Sequence, residues 1–230
     1  MTARRQNRPH SESVDDYLKA ILAMEGPKDG RATSTALAER LGVAPASVTN
    51  MLQKLAALPT PLVEYERHHG VRLTETGKRR ALEVLRHHRL IETFLYKVLD
   101  YPLEEIHEEA ERLEHFISER FEERIAAKLG NPTIDPHGHS IPAMDGKMVK
   151  EISVLLTQVI GEGTFEVDSI ADRDAATVKL LSTSGIAHGV RLRLRERHAE
   201  DVYAVSVGGS TQVLHLSREA ADTIRVHPAQ

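Results

Sequence analysis

Between Ala38 and Leu55 the chain reads AERLGVAPASVTNMLQKL, and this stretch restricts the fold more than any other. A short apolar-periodic run, Leu37, Ala38 and Leu41, stops at Gly42. Pro45, well suited to the first position of a helix, then starts a new stripe of Val48, Leu52 and Leu55. Two short helices so close together must turn sharply on one another. An earlier helix is expected from Ser13, a cap with Asp16 at N3, through Val14, Tyr17, Leu18, Ile21 and Leu22 to a stop at Gly26-Pro27. Ser34 is the expected cap of the second helix. After the third, the alternating pairs Val63/Tyr65 and Val71/Leu73 flank Arg67-His68-His69-Gly70, the pattern of a β-hairpin.

Helix, helix, turn, helix, hairpin is the order of a winged helix-turn-helix, in which the helix after the turn enters the DNA major groove. With Val48, Leu52 and Leu55 inward, the opposite face presents Ala46, Ser47, Asn50 and Lys54. Small residues at Ala44 and Ala46 beside Pro45 let the helix end approach DNA closely. Ser47 and Thr49 can donate to phosphates, Asn50 can contact phosphate or base, and Lys54 can neutralise a phosphate. Residues 1–90 carry 15 basic and 10 acidic side chains, whereas residues 91–130 carry 5 and 11. The overall charge of −4 therefore hides a basic part suited to nucleic acid and an acidic middle suited to cations.

From Glu75 to about Asp100 the periodicity is that of one long helix, with the stripe Ala81, Leu85, His88, Glu92, Leu95, Leu99. Two ionisable residues, four apart, thus sit inside an apolar face. A second helix expected from Leu103 to Leu129 repeats the anomaly. Beside its apolar stripe of Ile106, Ala110, Leu113, Ile117 and Phe121, the residues His107, Glu111, Glu114 and His115 fall within about 100° of arc. Burying such groups is costly unless a cation compensates, and the nitrogen and oxygen ligand set suits Mn(II) or Fe(II). The chain has no cysteine, which excludes disulfides, Cys-zinc sites, iron–sulfur clusters and thiol nucleophiles.

The stretch NPTIDPHGHSIPAMDG reads as a linker. Beyond it, short β-like runs (Phe165–Val167, Val190–Leu194, Val202–Val207, Val213–Leu216) and a short helix near 217–223 suggest a small β-barrel-like domain. The expected fold is mainly α with a small β domain. Its segments are a winged helix-turn-helix over 1–74, a helical metal-binding domain over 75–146, and the β domain over 147–230. No apolar run approaches a membrane span and the first residues lack the apolar core of a signal peptide, so a cytoplasmic protein without membrane contact is expected.

The motifs VDDYLKAI, LAERLGVAPASVTNMLQKL, GVRLTETGKRRAL, HRLIE, HEEAERLEH and DPHGHSIP together resemble the diphtheria toxin repressor family of metal-dependent transcriptional repressors. The resemblance runs from about Val14 to the C terminus, where the likeness is to the family's SH3-like domain. It implies a homodimer, with 75–146 also the dimerisation domain, that binds palindromic double-stranded operator DNA when loaded with metal. It assigns a principal metal site to Asp16, Glu111, Glu114 and His115, and a second to His88, Glu92 and His107, with Asp174 or Asp172 as a further ligand from the third domain. Recognition positions fall on Ala44, Ala46, Ser47, Thr49, Asn50 and Lys54. The iron branch carries Met and Cys where this chain has Asp16 and Glu111. The carboxylates here resemble the manganese branch, which usually has another one turn after Asp16, where this chain has Lys19. His107 and the third domain resemble the iron branch. Mn(II) is the expected effector, with Fe(II) or Co(II) also able to bind. Two other classes compete: a dinuclear metallohydrolase, for which no Ser/His/Asp arrangement, HExxH or phosphate loop is found, and a metal-independent regulator with a ligand-binding C-terminal domain.

Overall fold

The computed structural model describes residues 12–25, 30–149, 152–197 and 201–229, which form two compact units. One runs to Arg86 and includes Met144–Gly146; the other comprises His87–Ala143 and the chain from Lys147.

In the first unit, α1 (Glu12–Met24), α2 (Ser34–Leu41) and α3 (Pro45–Ala56) precede a hairpin of β1 (Val63–Glu66) and β2 (Gly70–Leu73). Because α1 begins at Glu12, Ser13 lies in its first turn and is not its cap; the Gly26-Pro27 stop lies outside the described residues. The cap of α2 is Thr33, one residue before Ser34. Thr33 has the extended backbone a cap requires, and its Oγ1 accepts the Ala36 N–H at 3.2 Å. Gly42, at φ 65°, closes α2 in a left-handed conformation that costs glycine little. Pro45 starts α3, which buries Val48, Leu52 and Leu55 completely. The hairpin pairs Val63 with Leu73 and Tyr65 with Val71.

Helix α4 (Glu75–Leu99) is continuous, with its first half in one unit and its second half, from His87, in the other. Four of its six expected stripe residues, Ala81, His88, Glu92 and Leu95, are buried, while Leu99 at its end is half exposed. The single helix expected over Leu103–Leu129 is two, α5 (Ile106–Leu113) and α6 (Glu119–Lys128). Ser118 makes the difference: its backbone is extended, and its Oγ accepts the Phe121 N–H, starting a new helix. Leu113 and Phe121 are consequently exposed rather than buried, and Phe116 in the break is 72% exposed.

The stretch from Asn131 is not a loose linker. Asp135, His137, Ser140 and Ile141 are buried, and a Cβ on Gly138 would lie 2.1 Å from the Asp168 carbonyl oxygen, so only glycine fits there. The rest of the second unit is β3 (Val154–Leu155), β4 (Gly163–Ile170), α7 (Ala175–Thr183), β5 (Arg191–Arg197), β6 (Tyr203–Val207), β7 (Leu214–Leu216), α8 (Arg218–Ala221) and β8 (Ile224–Pro228). The strands form an antiparallel sheet in the order β3-β8-β4-β5-β6-β7, with register shifts after Val167 and after Leu194. Ile91 and Leu95 of α4 and Ile106 and Ala110 of α5 share one core with Val167, Ile170, Leu181, Leu192 and Val226. The sheet therefore builds its interior together with the helices. Among the described residues no helix is long and apolar enough to cross a membrane.

Candidate metal centre and DNA-reading helix

His88 and Glu92 lie one turn apart on α4, and both are buried. His88 Nδ1 lies 2.6 Å from Glu114 Oε2, and its Nε2 lies 3.0 Å from Glu92 Oε1 and 3.2 Å from His107 Nδ1. The two imidazoles thus aim ring nitrogens at each other and at one carboxylate oxygen, a convergence of lone pairs. Asp172, in the loop after β4, brings Oδ2 to 3.8 Å from His107 Nδ1. Potential ligand atoms of His88, Glu92, His107 and Asp172 all lie within 4.8 Å of one another, as do those of His88, Glu111 and Glu114. His115 Nε2 is 3.5 Å from Glu114 Oε1.

A neighbouring group was not singled out from the sequence as a site: Asp135, His137 and His139, which converge in the same way. Asp135 Oδ1 accepts the backbone N–H groups of both His137 and His139 at 2.9 Å. Its Oδ2 lies 3.5 Å from Arg89 Nε and 3.5 Å from His139 Nδ1. His137 Nδ1 faces Glu92 at 3.6 Å, and His139 Nδ1 faces Asp172 at 3.5 Å, each too far for a good hydrogen bond. Glu92 Oε2, Asp135 Oδ2 and both of these Nδ1 atoms are buried without a hydrogen-bond partner.

Burial by itself would raise the Glu92 pKa, but the charge of His88 and contacts with His107 and His137 hold it well below the carboxylate range. His137 and His139 move up despite burial, His137 chiefly through Glu92 and His139 chiefly through Asp135. Asp172 moves down because His139, His107 and His137 outweigh its desolvation. The pocket thus holds buried carboxylates balanced mainly by imidazoles. A divalent ion fits this donor set: it would supply the charge that protons on the rings otherwise provide, and nitrogen with oxygen suits Mn(II) or Fe(II).

Asp174 is not part of this group. It is exposed and caps α7, its carboxylate accepting the N–H groups of Ala176 and Thr177 and the Thr177 hydroxyl. Sequence spacing did not separate it from Asp172 two residues earlier, because α7 had not been foreseen. Asp16 lies in the first unit on α1, half-buried. Since α1 starts at Glu12, Asp16 is beyond the first turn, and the N3 capping role does not apply. Its neighbour Asp15 is buried and paired with Arg80 at 2.6 Å.

On α3 and its entry, Ala44, Pro45, Ala46, Ser47, Asn50 and Lys54 are exposed, as a DNA-facing surface requires. Thr49 is half-buried, and its hydroxyl donates to the Pro45 carbonyl at 3.2 Å, so its hydrogen is used within the helix rather than offered to a phosphate. Arg67, His68 and His69 at the hairpin tip are exposed.

Three family descriptions match successive parts of the chain: "Iron dependent repressor, N-terminal DNA binding domain" over residues 10–71, "Iron dependent repressor, metal binding and dimerisation domain" over 74–143, and "FeoA domain" over 154–228. The iron-dependent repressor IdeR of Mycobacterium leprae is 36% identical over 219 residues, covering 92% of this chain and 84% of that protein. The chain belongs to the iron-dependent repressor family. Its members are metal-dependent transcriptional repressors, the family of the diphtheria toxin repressor. The Mycobacterium tuberculosis IdeR match is 37% identical over 135 residues, just over half (56%) of that repressor's length. A solved structure described as a manganese-dependent transcriptional repressor in complex with manganese is 35% identical. It superposes with a TM-score of 0.84 over 93% of this chain and 99% of its own.

Proposed function

We propose that this chain is a metal-activated transcriptional repressor that binds double-stranded operator DNA as a homodimer and controls metal-homeostasis genes. The observation that carries this reading is the convergence of His88, Glu92, His107 and Asp172, with Glu111 and Glu114 also converging on His88, in a chain that also holds an exposed recognition helix. His88, Glu92 and His107, joined by Asp172, are proposed to hold one ion. Glu111, Glu114 and His115 are proposed to hold another, with Asp16 a further ligand on the strength of the family resemblance. The ion supplies the positive charge that lets these carboxylates stay together without repulsion. Mn(II) is favoured because the acidic ligands are hard oxygens, with Fe(II) or Co(II) also able to bind. The exposed Leu113, Phe116 and Phe121 give a second copy an apolar surface to cover, which supports dimerisation.

The function is tested on an operator selected from genomic fragments, with binding to it measured in one buffer after chelation and after addition of Mn(II), Fe(II), Co(II) or Mg(II). Specific binding is expected to be weak after chelation and restored by Mn(II) at lower concentration than by Mg(II). Equal binding with and without metal would favour a metal-independent regulator and overturn the reading.

A further inference from the structure

One buried ionisable pair lies beside the metal cluster without belonging to it. His87 of α4 and Glu122 of α6 are both buried, with His87 Nε2 3.0 Å from Glu122 Oε2. The other ring nitrogen, Nδ1, lies 3.2 Å from the main-chain carbonyl oxygen of Glu114. A carbonyl only accepts, so Nδ1 carries the hydrogen of that contact, and Nε2 is left facing the Glu122 carboxylate.

The position of this carbonyl gives the contact its meaning. Helix α5 ends at Leu113, Glu114 is its C-cap, and α6 starts only at Glu119. In an unbroken helix a backbone N–H four residues on would take the Glu114 carbonyl; here His87 takes it. The adjacent His88 holds the same residue by its carboxylate, 2.6 Å from Nδ1. Two consecutive histidines of α4 therefore grip Glu114 at both ends, one by the main chain and one by the side chain. Glu122, on the first turn of α6, fixes the His87 ring.

We propose that His87, clamped by Glu122, is a positioning residue that fixes where the helix break presents Glu114 and His115 to a metal ion. This rests on the reading of Glu114 as a ligand. Groups that hold a metal ligand in place commonly change metal affinity by about 10–100-fold when removed.

The test is Mn(II) affinity of the full chain, by competition with a chelating indicator, alongside the thermal midpoint of the chelated protein. The Co(II) absorption spectrum serves as a readout of ligand geometry. His87→Leu is expected to weaken the Glu114 site by about 10–100-fold and to change the Co(II) spectrum. His87→Gln, whose amide can still donate to the carbonyl, is expected to recover most of both. Glu122→Ala, which frees the ring without removing it, is expected to show an intermediate loss and keeps the test open if His87→Leu does not fold. A folded His87→Leu or Glu122→Ala protein with wild-type Mn(II) affinity and Co(II) spectrum would overturn the proposal, even if its thermal midpoint fell. So would a His87→Gln protein as weak as His87→Leu. Glu114→Ala separates the two levels: if it leaves Mn(II) binding intact, the ligand reading itself fails.

Discussion

Replacing Asp135 with alanine should destabilise the second unit more than any other single truncation in the loop from Asn131 to Ala143. The side chain is fully buried, and one oxygen serves two backbone N–H groups, those of His137 and His139. Each buried amide left without an acceptor costs about 1–3 kcal/mol. The other oxygen faces the guanidinium of Arg89, whose remaining contact is with the Ser140 carbonyl. Removing one member of a buried pair typically costs about 3–5 kcal/mol. These terms overlap, since water can enter the space, so a total of about 3–5 kcal/mol is expected, a fall of roughly 10 °C in melting temperature for a chain of this size. Asp135→Asn keeps an acceptor for the two amides and should lose about 1–2 kcal/mol. The measurement is thermal and urea unfolding of the chelated protein by far-ultraviolet circular dichroism, with hydrogen exchange of the 131–143 amides as a local readout. An Asp135→Ala protein within about 1 kcal/mol of wild type, with those amides still protected, would show that the loop is held by its apolar contacts alone.

The two aspartates after β4 should behave differently. Asp174→Ala is expected to cost about 1 kcal/mol of stability through the lost cap of α7 and to leave metal binding alone. Asp172→Ala should weaken one metal site by more than about tenfold, measured by Mn(II) titration. Lys54→Ala should weaken specific and nonspecific DNA binding alike and lower the salt slope by about one phosphate contact, read from anisotropy at several salt concentrations. Asp16→Met combined with Glu111→Cys should shift the ratio of activation midpoints from Mn(II) towards Fe(II) or Co(II) in anaerobic operator binding. A ratio that does not move would remove both residues from the ligand set.

The local signals in the sequence were strong where one residue type has one structural use. Pro45 at a helix start, Gly42 at a left-handed turn and the alternation around Arg67–Gly70 all correspond to the structure. His88 and Glu92 stood out because ionisable groups interrupted an apolar face, and their burial follows from the same periodicity. What escaped depended on competition between near-equal residues or on distant packing. Thr33 and Ser34 can both cap, and only backbone geometry selects Thr33. Ser118 could sit in a helix or start one, and the periodicity from Ile106 to Phe121 gave no sign of the break. Asp135, His137 and His139 lie in a stretch rich in Pro and Gly, where composition says turn and only the contact with Arg89 and Asp172 shows that the turn is packed.

The continuity of α4 bears on how such chains can be recombined. A cut at residue 74, where the sequence changes from hairpin to helix, would look like a natural seam. Yet Ala81 belongs to the same core as Leu18, Leu37 and Leu52, and Gly77 comes so close to Leu62 that any side chain would collide with its carbonyl. Helix and reading head must therefore be inherited together, at least through Ala81. From His87 onward the same helix answers to a different core. A swap between relatives would have to keep the first half of the helix with the hairpin and the second half with the later core. A domain boundary drawn from the sequence change at residue 74 would thus strip the DNA-reading unit of Gly77 and Ala81, two positions on which its own core depends.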